Sequence, residues 1–222
     1  YTGTGADGTV GHGLGKVPAV VIIKNRDRTV EWIVKHQKLS SGNILYLNLN
    51  SGEDGATGSN NGIIGDLNNA STFSLTRTSN SGNYNNNNVT GEKYVAFCYA
   101  EIPGYSKFGI YRGNDSSDGV FNDCGFKPAI IITAGKNSSD AWVLWDNARD
   151  PDNVGHHRSY PNQATVESTS ISSGTSMVDF YSNGFKFRGS SDDTNGTGRH
   201  YIYMAFAEEP VNTPFGSSSL GR

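Results

Sequence analysis

Long apolar runs and blocks of like charge are both missing from this 222-residue sequence. The longest apolar stretch, VPAVVII at 17–23, is much shorter than the roughly 20 residues that a transmembrane helix needs. The 18 basic and 21 acidic residues are scattered, which does not predict the concentrated positive surface that binds a nucleic-acid backbone. The sequence therefore predicts neither membrane insertion nor a nucleic-acid partner.

Cysteine is scarce, and motifs for catalysis or metal binding are missing as well. Cys98 and Cys124 stand singly in apolar segments, without a further Cys or His at ligand spacing, and predict two small buried thiols. The sequence has no pair of carboxylates spaced along one strand as in many glycoside hydrolases, no Gly-x-Ser-x-Gly elbow and no phosphate loop. We accordingly predict no catalytic residue, no cofactor and no metal, and a protein that is not an enzyme.

The residues that are abundant predict an all-β protein. The 28 Gly residues and the many Asn and Ser residues favour tight turns, and 11% of the chain is aromatic, which suits pleated, half-buried strands. ILYLNLN at 44–50 and STFSLTR at 71–77 alternate as half-buried strands do, whereas KVPAVVIIKN at 16–25 predicts a strand buried on both faces. Many short strands between turn residues are typical of a sandwich or jelly roll.

One phrase occurs twice in the chain, as YVAFCYAEIP at 94–103 and as YIYMAFAEEP at 201–210. Further matches lie 110 positions apart and include a tyrosine, a proline and a tryptophan. These matched pairs are Tyr1 with Tyr111, Pro18 with Pro128 and Trp32 with Trp142. Repetition of this kind indicates two copies of one structural unit.

We therefore predict two tandem antiparallel β-sandwich repeats of jelly-roll or concanavalin-like type, each of about 105 residues. The first repeat spans residues 1–107, the second spans 108–210, and 211–222 form a C-terminal tail or linker. One large concanavalin-like sandwich in which the repeats interleave is the alternative. The tandem arrangement is favoured because each half has enough strands to cover its own core.

Residues common to the two halves are predicted to form the core of each repeat. Trp32 and Trp142 lie on alternating segments, where they share a face with Val34 and Leu144. A repeated tryptophan on an apolar face is most often a core residue. The predicted structural core residues are Trp32, Trp142, Pro18, Pro128, Phe97 and Met204.

Candidate ligand-binding residues come from the second half only. Trp145 is predicted to point away from the Trp142 face, and its counterpart in the first half is Lys35. An aromatic ring present in one repeat could pack between the units or stack on a sugar. Asp146, Asp150 and Asp152 follow closely, and they indicate either a cation-binding loop or an Asx-turn loop tied to Arg149.

His156 and His157 are adjacent in the same region. Neighbouring side chains of a strand point to opposite faces, and the sequence does not indicate a third ligand. For this reason no metal site is predicted there.

Several phrases together resemble a repeat domain of bacteriophage virion proteins. They are GHGLGKVPAVVIIKNRD at 11–27, YVAFCYAEIPGYSKFGIYRGN at 94–114, CGFKPAIII at 124–132 and FYSNGFKFR at 180–188, and the similarity covers about residues 1–210. The resemblance implies a tandem-repeat, lectin-like β-sandwich in a tail fibre or another structural protein of the virion.

The same resemblance implies a location on the virion surface and a role in host attachment, with host surface polysaccharide as the binding target. Other virion subunits and further copies of this chain are the expected partners, and the chain is expected to form a homo-oligomer. A capsid decoration or fibre-shaft protein is the alternative, and a polysaccharide-degrading enzyme is a third. Because the resemblance supplies no catalytic residues, none can be assigned from it.

Overall fold

The computed structural model describes residues 1–55, 63–76, 87–172 and 174–208. Within these ranges the regular secondary structure is entirely β, and the paired strands are antiparallel. The prediction of an all-β protein is confirmed. None of these residues lies in a helix long and apolar enough to cross a membrane.

The chain divides into two compact units, Tyr1–Ala100 and Glu101–Arg222. The described part of the first unit contains a sheet of order β5-β4-β3-β2-β8 and a sheet of order β1-β7-β6. Its strands are β1 (Gly8–Gly11), β2 (Val20–Asn25), β3 (Ile33–His36), β4 (Asn43–Tyr46), β5 (Asp54–Gly55), β6 (Ile63–Ile64), β7 (Thr72–Thr76) and β8 (Tyr94–Tyr99).

The second unit is built in a similar way, from one four-stranded and one three-stranded sheet. Its strands are β9 (Ser106–Arg112), β10 (Phe121–Asp123), β11 (Pro128–Gly135), β12 (Val143–Asp146), β13 (Val178–Tyr181), β14 (Gly184–Phe187) and β15 (His200–Ala207). The larger sheet has the order β12-β11-β15-β9, and the smaller has the order β10-β14-β13. Each of these sheets draws its described strands from one unit only.

In each unit the core lies between the larger and the smaller sheet, as expected of a β-sandwich. In the first unit Val21 and Ile23 of β2 and Ile33 of β3 pack in one cluster with Phe73 and Leu75 of β7. A fully buried side chain of this size contributes about 1.5–3 kcal/mol. Apolar and polar residues alternate in STFSLTR because Phe73 and Leu75 are buried in this core, whereas their neighbours in β7 are only partly buried.

The core of the second unit is rich in aromatic rings. Phe185 and Phe187 of β14 pack against residues of the larger sheet, among them Tyr111 and Tyr201. The rings of Tyr111 and Tyr201 stack with centroids 5.1 Å apart. Tyr1 and Tyr94 in the first unit stack in the same way at 5.0 Å.

The predicted repeat boundary at residues 107 and 108 falls within β9. This strand pairs along its whole length with β15, from Ser106 beside Phe206 to Arg112 beside His200. Residues 106 and 107 therefore belong to the larger sheet of the second unit. The predicted tail or linker, 211–222, lies outside the described residues.

None of the six residues predicted to form the core is a member of the two sandwich cores. Val143 and Trp145 lie in the second core, whereas Trp142 is buried outside that cluster. Trp32 is only partly buried and stacks on Phe97 at 6.4 Å, and Phe97 is 41% exposed. Alternation showed which residues share a face, but only the position of the second sheet decides which face becomes the core.

The other three predicted core residues are buried. Pro18 precedes β2 by two positions, and Pro128 begins β11. Met204 lies in β15, where it pairs with Ile132 of β11. Like Trp142, they are buried without being members of the second unit's aromatic cluster or of the first unit's core.

Candidate functional site

A long connection in the second unit, residues 147–177 between β12 and β13, contains the candidate site. Isolated bridges fold this connection back on the sandwich, because Ser159 pairs with Leu144 and Gly155 pairs with Val178. A third bridge joins Arg158 to Ser168 and brings two parts of the connection together. The polar loop is therefore held by backbone hydrogen bonds to the scaffold and to itself.

The buried guanidinium of Arg158 holds the connection from inside. Its Nη1 donates to the carbonyl oxygens of His156 at 3.1 Å, Ser170 at 3.3 Å and Ser176 at 3.0 Å. Its Nε donates to Tyr160 Oη at 3.0 Å. Hydrogen bonds to an ionised donor are stronger than neutral ones. This one side chain therefore joins the segment around His156 and Tyr160 to the segment from Ser170 to Ser176.

Asp146 and Arg149 form the turn that follows β12. Asp146 Oδ1 accepts the Arg149 backbone N–H at 2.9 Å, and its Oδ2 accepts Arg149 Nε at 2.5 Å. Arg149 Nη1 also donates to Ser159 Oγ at 2.9 Å and pairs with Glu167. Burial lowers the pKa of Arg149, but the hydrogen bonds to Asp146 and Glu167 outweigh it and leave that pKa raised. The contacts of Asp146 are thus those of an Asx-turn loop tied to Arg149, which is one of the two predicted alternatives.

Asp150 lies beside the two adjacent histidines. Its Oδ2 accepts the backbone N–H groups of His156 at 2.7 Å and His157 at 2.5 Å. Its Oδ1 faces both rings, 3.5 Å from His156 Nδ1 and 3.8 Å from His157 Nδ1. The two rings do not diverge as they would on a strand, because this segment is not part of a strand and turns both rings toward one carboxylate.

An open groove of about 540 Å³ lies along residues 160–170 of the connection. This volume is within the usual range for small-ligand sites, about 300–1,000 Å³. Most of the residues that line it have polar side chains, and Tyr160 supplies one aromatic ring. The groove is lined by Tyr160, Gln163, Thr165, Val166, Glu167, Ser168, Thr169, Ser170 and Asp193.

A smaller cavity of about 290 Å³ lies in the first unit and includes Tyr1, Val10 and Leu75 in its wall.

Comparison with protein families gives one informative result. Residues 1–210 match the family model of DUF7483, a domain of unknown function. The chain belongs to the DUF7483 family. Comparison of this DUF7483 chain with curated proteins gave no match, and comparison with solved structures gave none either. Functional inference for the chain therefore depends on the geometry of its own residues.

Two of the predicted ligand-binding residues are corrected by their positions in the DUF7483 fold. Trp145 is 1% exposed, and its ring packs on Phe187 in the core of the second unit at 5.2 Å. A sugar cannot stack on a ring buried in this way. Asp152 is exposed, and in the described part of the chain it does not belong to the group formed by Asp150 and the histidines. The three aspartates do not form one cation loop.

Sequence reasoning missed the groove completely. The segment that forms it, QATVESTSIS at 163–172, has the polar composition of any exposed loop. Its bridge partner Arg158 is separated from Ser168 by ten positions, and nothing in the local sequence indicates that pairing. A buried arginine with several carbonyl acceptors can be recognised only once the loop is folded.

Proposed function

We propose that this protein is a bacteriophage virion surface protein, a tail fibre or related appendage, that attaches the particle to host surface glycans. The observation that carries the proposal is the open polar groove of the second unit, whose wall combines hydrogen-bonding side chains with the ring of Tyr160. Sugars present hydroxyl groups at their edges and C–H groups on their faces. Such a wall complements both kinds of surface.

Particular side chains of the groove suit the two parts of a sugar. The exposed Gln163 amide both donates and accepts hydrogen bonds, and the hydroxyl groups of Thr165 and Thr169 do the same. The ring of Tyr160 is held in place by its contact with Arg158 and by packing against the second core. A rigid ring and adaptable polar groups are a common combination at binding surfaces.

Placement on a loop over a β scaffold further supports the proposal. Loops held by a rigid core can change in sequence without unfolding the protein, which suits a surface that follows the variation of host glycans. A single shallow groove binds weakly, and many copies on one particle increase the effective affinity by avidity. We therefore propose that the chain acts as a homo-oligomer in contact with other virion subunits.

A glycan array and calorimetry with the purified chain test this function, and reducing-sugar release from host polysaccharide is measured in parallel. We expect binding without sugar release. Gln163→Ala is expected to weaken the binding about tenfold, which corresponds to about 1.4 kcal/mol. Gln37→Ala, which removes the exposed glutamine of the first unit, is the matched control and should bind like the wild type. Sugar release, or the lack of any glycan binding, would contradict the proposal.

A purely structural role in the virion is the second candidate, and two side chains of the same connection favour it. Val166 is 88% exposed and Ile171 is 69% exposed, although both are apolar. Apolar groups that protrude from a polar loop suit contact with a neighbouring protein subunit. If Val166→Ser and Ile171→Ser together block incorporation into particles while glycan binding is unchanged, the structural role is the better description.

A further inference from the structure

We propose that Asp150, His156 and His157 form a binding site for a divalent transition-metal ion such as Zn²⁺. One oxygen of Asp150 and one ring nitrogen of each histidine lie within 4.8 Å of one another. Around a tetrahedral zinc ion with bonds of about 2.0–2.1 Å, neighbouring ligand atoms are about 3.3 Å apart. The separations of 3.5 and 3.8 Å between Asp150 Oδ1 and the two Nδ1 atoms are close to this value.

The carboxylate of Asp150 is already oriented for such an ion. Its Oδ2 accepts two backbone N–H groups, those of His156 and His157, and so Oδ1 faces the imidazole rings. Outer hydrogen bonds of this kind orient a metal ligand and reduce the rearrangement that binding requires. The side chain of Asp150 is almost fully buried, whereas the two histidine side chains are about one third exposed, which gives an ion access from solvent.

Neighbouring contacts hold the ligand segment in place. Gly155 and Val178 exchange two backbone hydrogen bonds of 2.7 and 2.9 Å. The amide of Asn153 forms hydrogen bonds with both the N–H and the carbonyl of Phe180, at 2.8 and 3.0 Å. On the other side, Arg158 binds the carbonyl oxygen of His156. The two histidines therefore lie between backbone that is tied to β13 and the side chain of Arg158.

One existing contact has to change when an ion binds. His156 Nδ1 lies 3.3 Å from the carbonyl oxygen of Val154. A metal binds the unprotonated nitrogen, so His156 must carry its proton on Nε2 and give up any Nδ1–H bond to Val154.

The donor set selects the class of metal. Two imidazole nitrogens and one carboxylate oxygen suit Zn²⁺, Co²⁺, Ni²⁺ or Cu²⁺, whereas Ca²⁺ and Mg²⁺ prefer sites made of oxygen atoms. Three protein ligands leave a position of the tetrahedron for a water molecule. This site is separate from the groove residues, and the proposal does not depend on glycan binding.

Titration of the metal-free, purified chain with Co²⁺ and Zn²⁺ tests the site. Co²⁺ is followed by its visible absorption, and Zn²⁺ is followed by calorimetry and by the rise in melting temperature. We expect saturable binding of one ion per chain, with Ca²⁺ and Mg²⁺ giving no such signal. His157→Ala is expected to weaken binding about 100-fold or more, because it removes one of three ligands, whereas the control His12→Ala in the first unit should bind normally.

A second variant separates loss of the site from loss of the fold. Asp150→Asn keeps an oxygen that can accept the backbone N–H groups but removes the negative charge, and it should weaken Zn²⁺ binding at least about tenfold. Circular dichroism and melting temperature in the absence of metal show whether each variant is folded. Binding of equal strength in wild type and His157→Ala, or the lack of saturable binding of Zn²⁺ or Co²⁺ by the wild type, would overturn the proposal.

Discussion

Lys35 and Trp145 occupy matching positions of the two predicted repeats, and both are buried. Lys35 is 2% exposed, and its Nζ donates to the carbonyl oxygens of Ser40 at 3.3 Å and Asn43 at 3.0 Å. It also forms an ion pair of 3.0 Å with Asp66 Oδ1. Where the second unit fills its core with an indole ring, the first unit uses an aliphatic stem that ends in a satisfied cation.

Substitution of Lys35 by alanine is expected to destabilise the first unit by about 2–3 kcal/mol. The change removes a buried stem and leaves two carbonyl groups and Asp66 without their cation. The exposed side of Asp66 limits the loss, because water can solvate it. Urea unfolding measures the effect, with Lys38→Ala at an exposed position as the control. A loss below about 0.5 kcal/mol, the size of an ordinary surface change, would contradict this role.

Asp66 connects the stability of the fold to pH. The Ser41 hydroxyl, followed by Lys35, holds the pKa of Asp66 below its usual value of 3.8. Because the folded-state pKa is the lower one, the stabilisation is fully present only well above the unfolded-state value of 3.8, and it is lost as the pH falls through the folded-state pKa. Other carboxylates also titrate in this range, so the comparison has to be made with a variant that lacks Asp66 alone.

Asp66→Asn is therefore expected to be less stable than the wild type at pH 6, and the difference should shrink as the pH is lowered from 5 to 2.5. Urea unfolding at a series of pH values measures both chains. A stability difference that stays constant over this range would show that the ionised carboxylate is not the stabilising group.

Among the secondary-structure elements, β9 depends on a glycine. Gly109 pairs with Tyr203 of β15, and a Cβ atom at this position would clash with the ring of Tyr203. Tyr203 is itself buried in the core of the second unit. The missing side chain at position 109 thus provides the space that the ring occupies.

Gly109→Ala is expected to destabilise the second unit by about 1–3 kcal/mol, the usual cost of overpacking. Gly8→Ala is a matched control, because Gly8 also lies in a strand but an added Cβ there would approach only Ala6 O, at 3.9 Å. Thermal unfolding followed by circular dichroism measures both variants. Equal stability of the two variants would mean that Tyr203 can move aside at no cost.

At the scale of the whole molecule, the proposed attachment role decides how binding should be measured. The formal net charge is −3, and it is distributed over two sandwich-like units that each enclose their own core. Rigid β units with polar connections suit a surface module, and many copies can turn a weak groove into firm adhesion. A dense glycan array is therefore the right format for the binding test.

The sequence alone was sufficient for the fold class. The phrase around Ile22 predicted a strand buried on both faces, and β2 lies there. The alternation of Phe73 and Leu75 was also read correctly. Such patterns are local, because the side chains of a strand alternate between its faces whatever the remaining structure does.

Only the tertiary structure decided which faces are covered and which loop residues meet. Trp142 and Trp145 are equally apolar in the sequence, and the packing of β14 places Trp145, rather than Trp142, in the sandwich core. Asp150 meets His156 and His157 because a loop, and not a strand, joins them. Local spacing determines the alternation of a strand, whereas the core and the site arise from contacts between segments that are distant in the chain and whose pairing is set by the folded molecule as a whole.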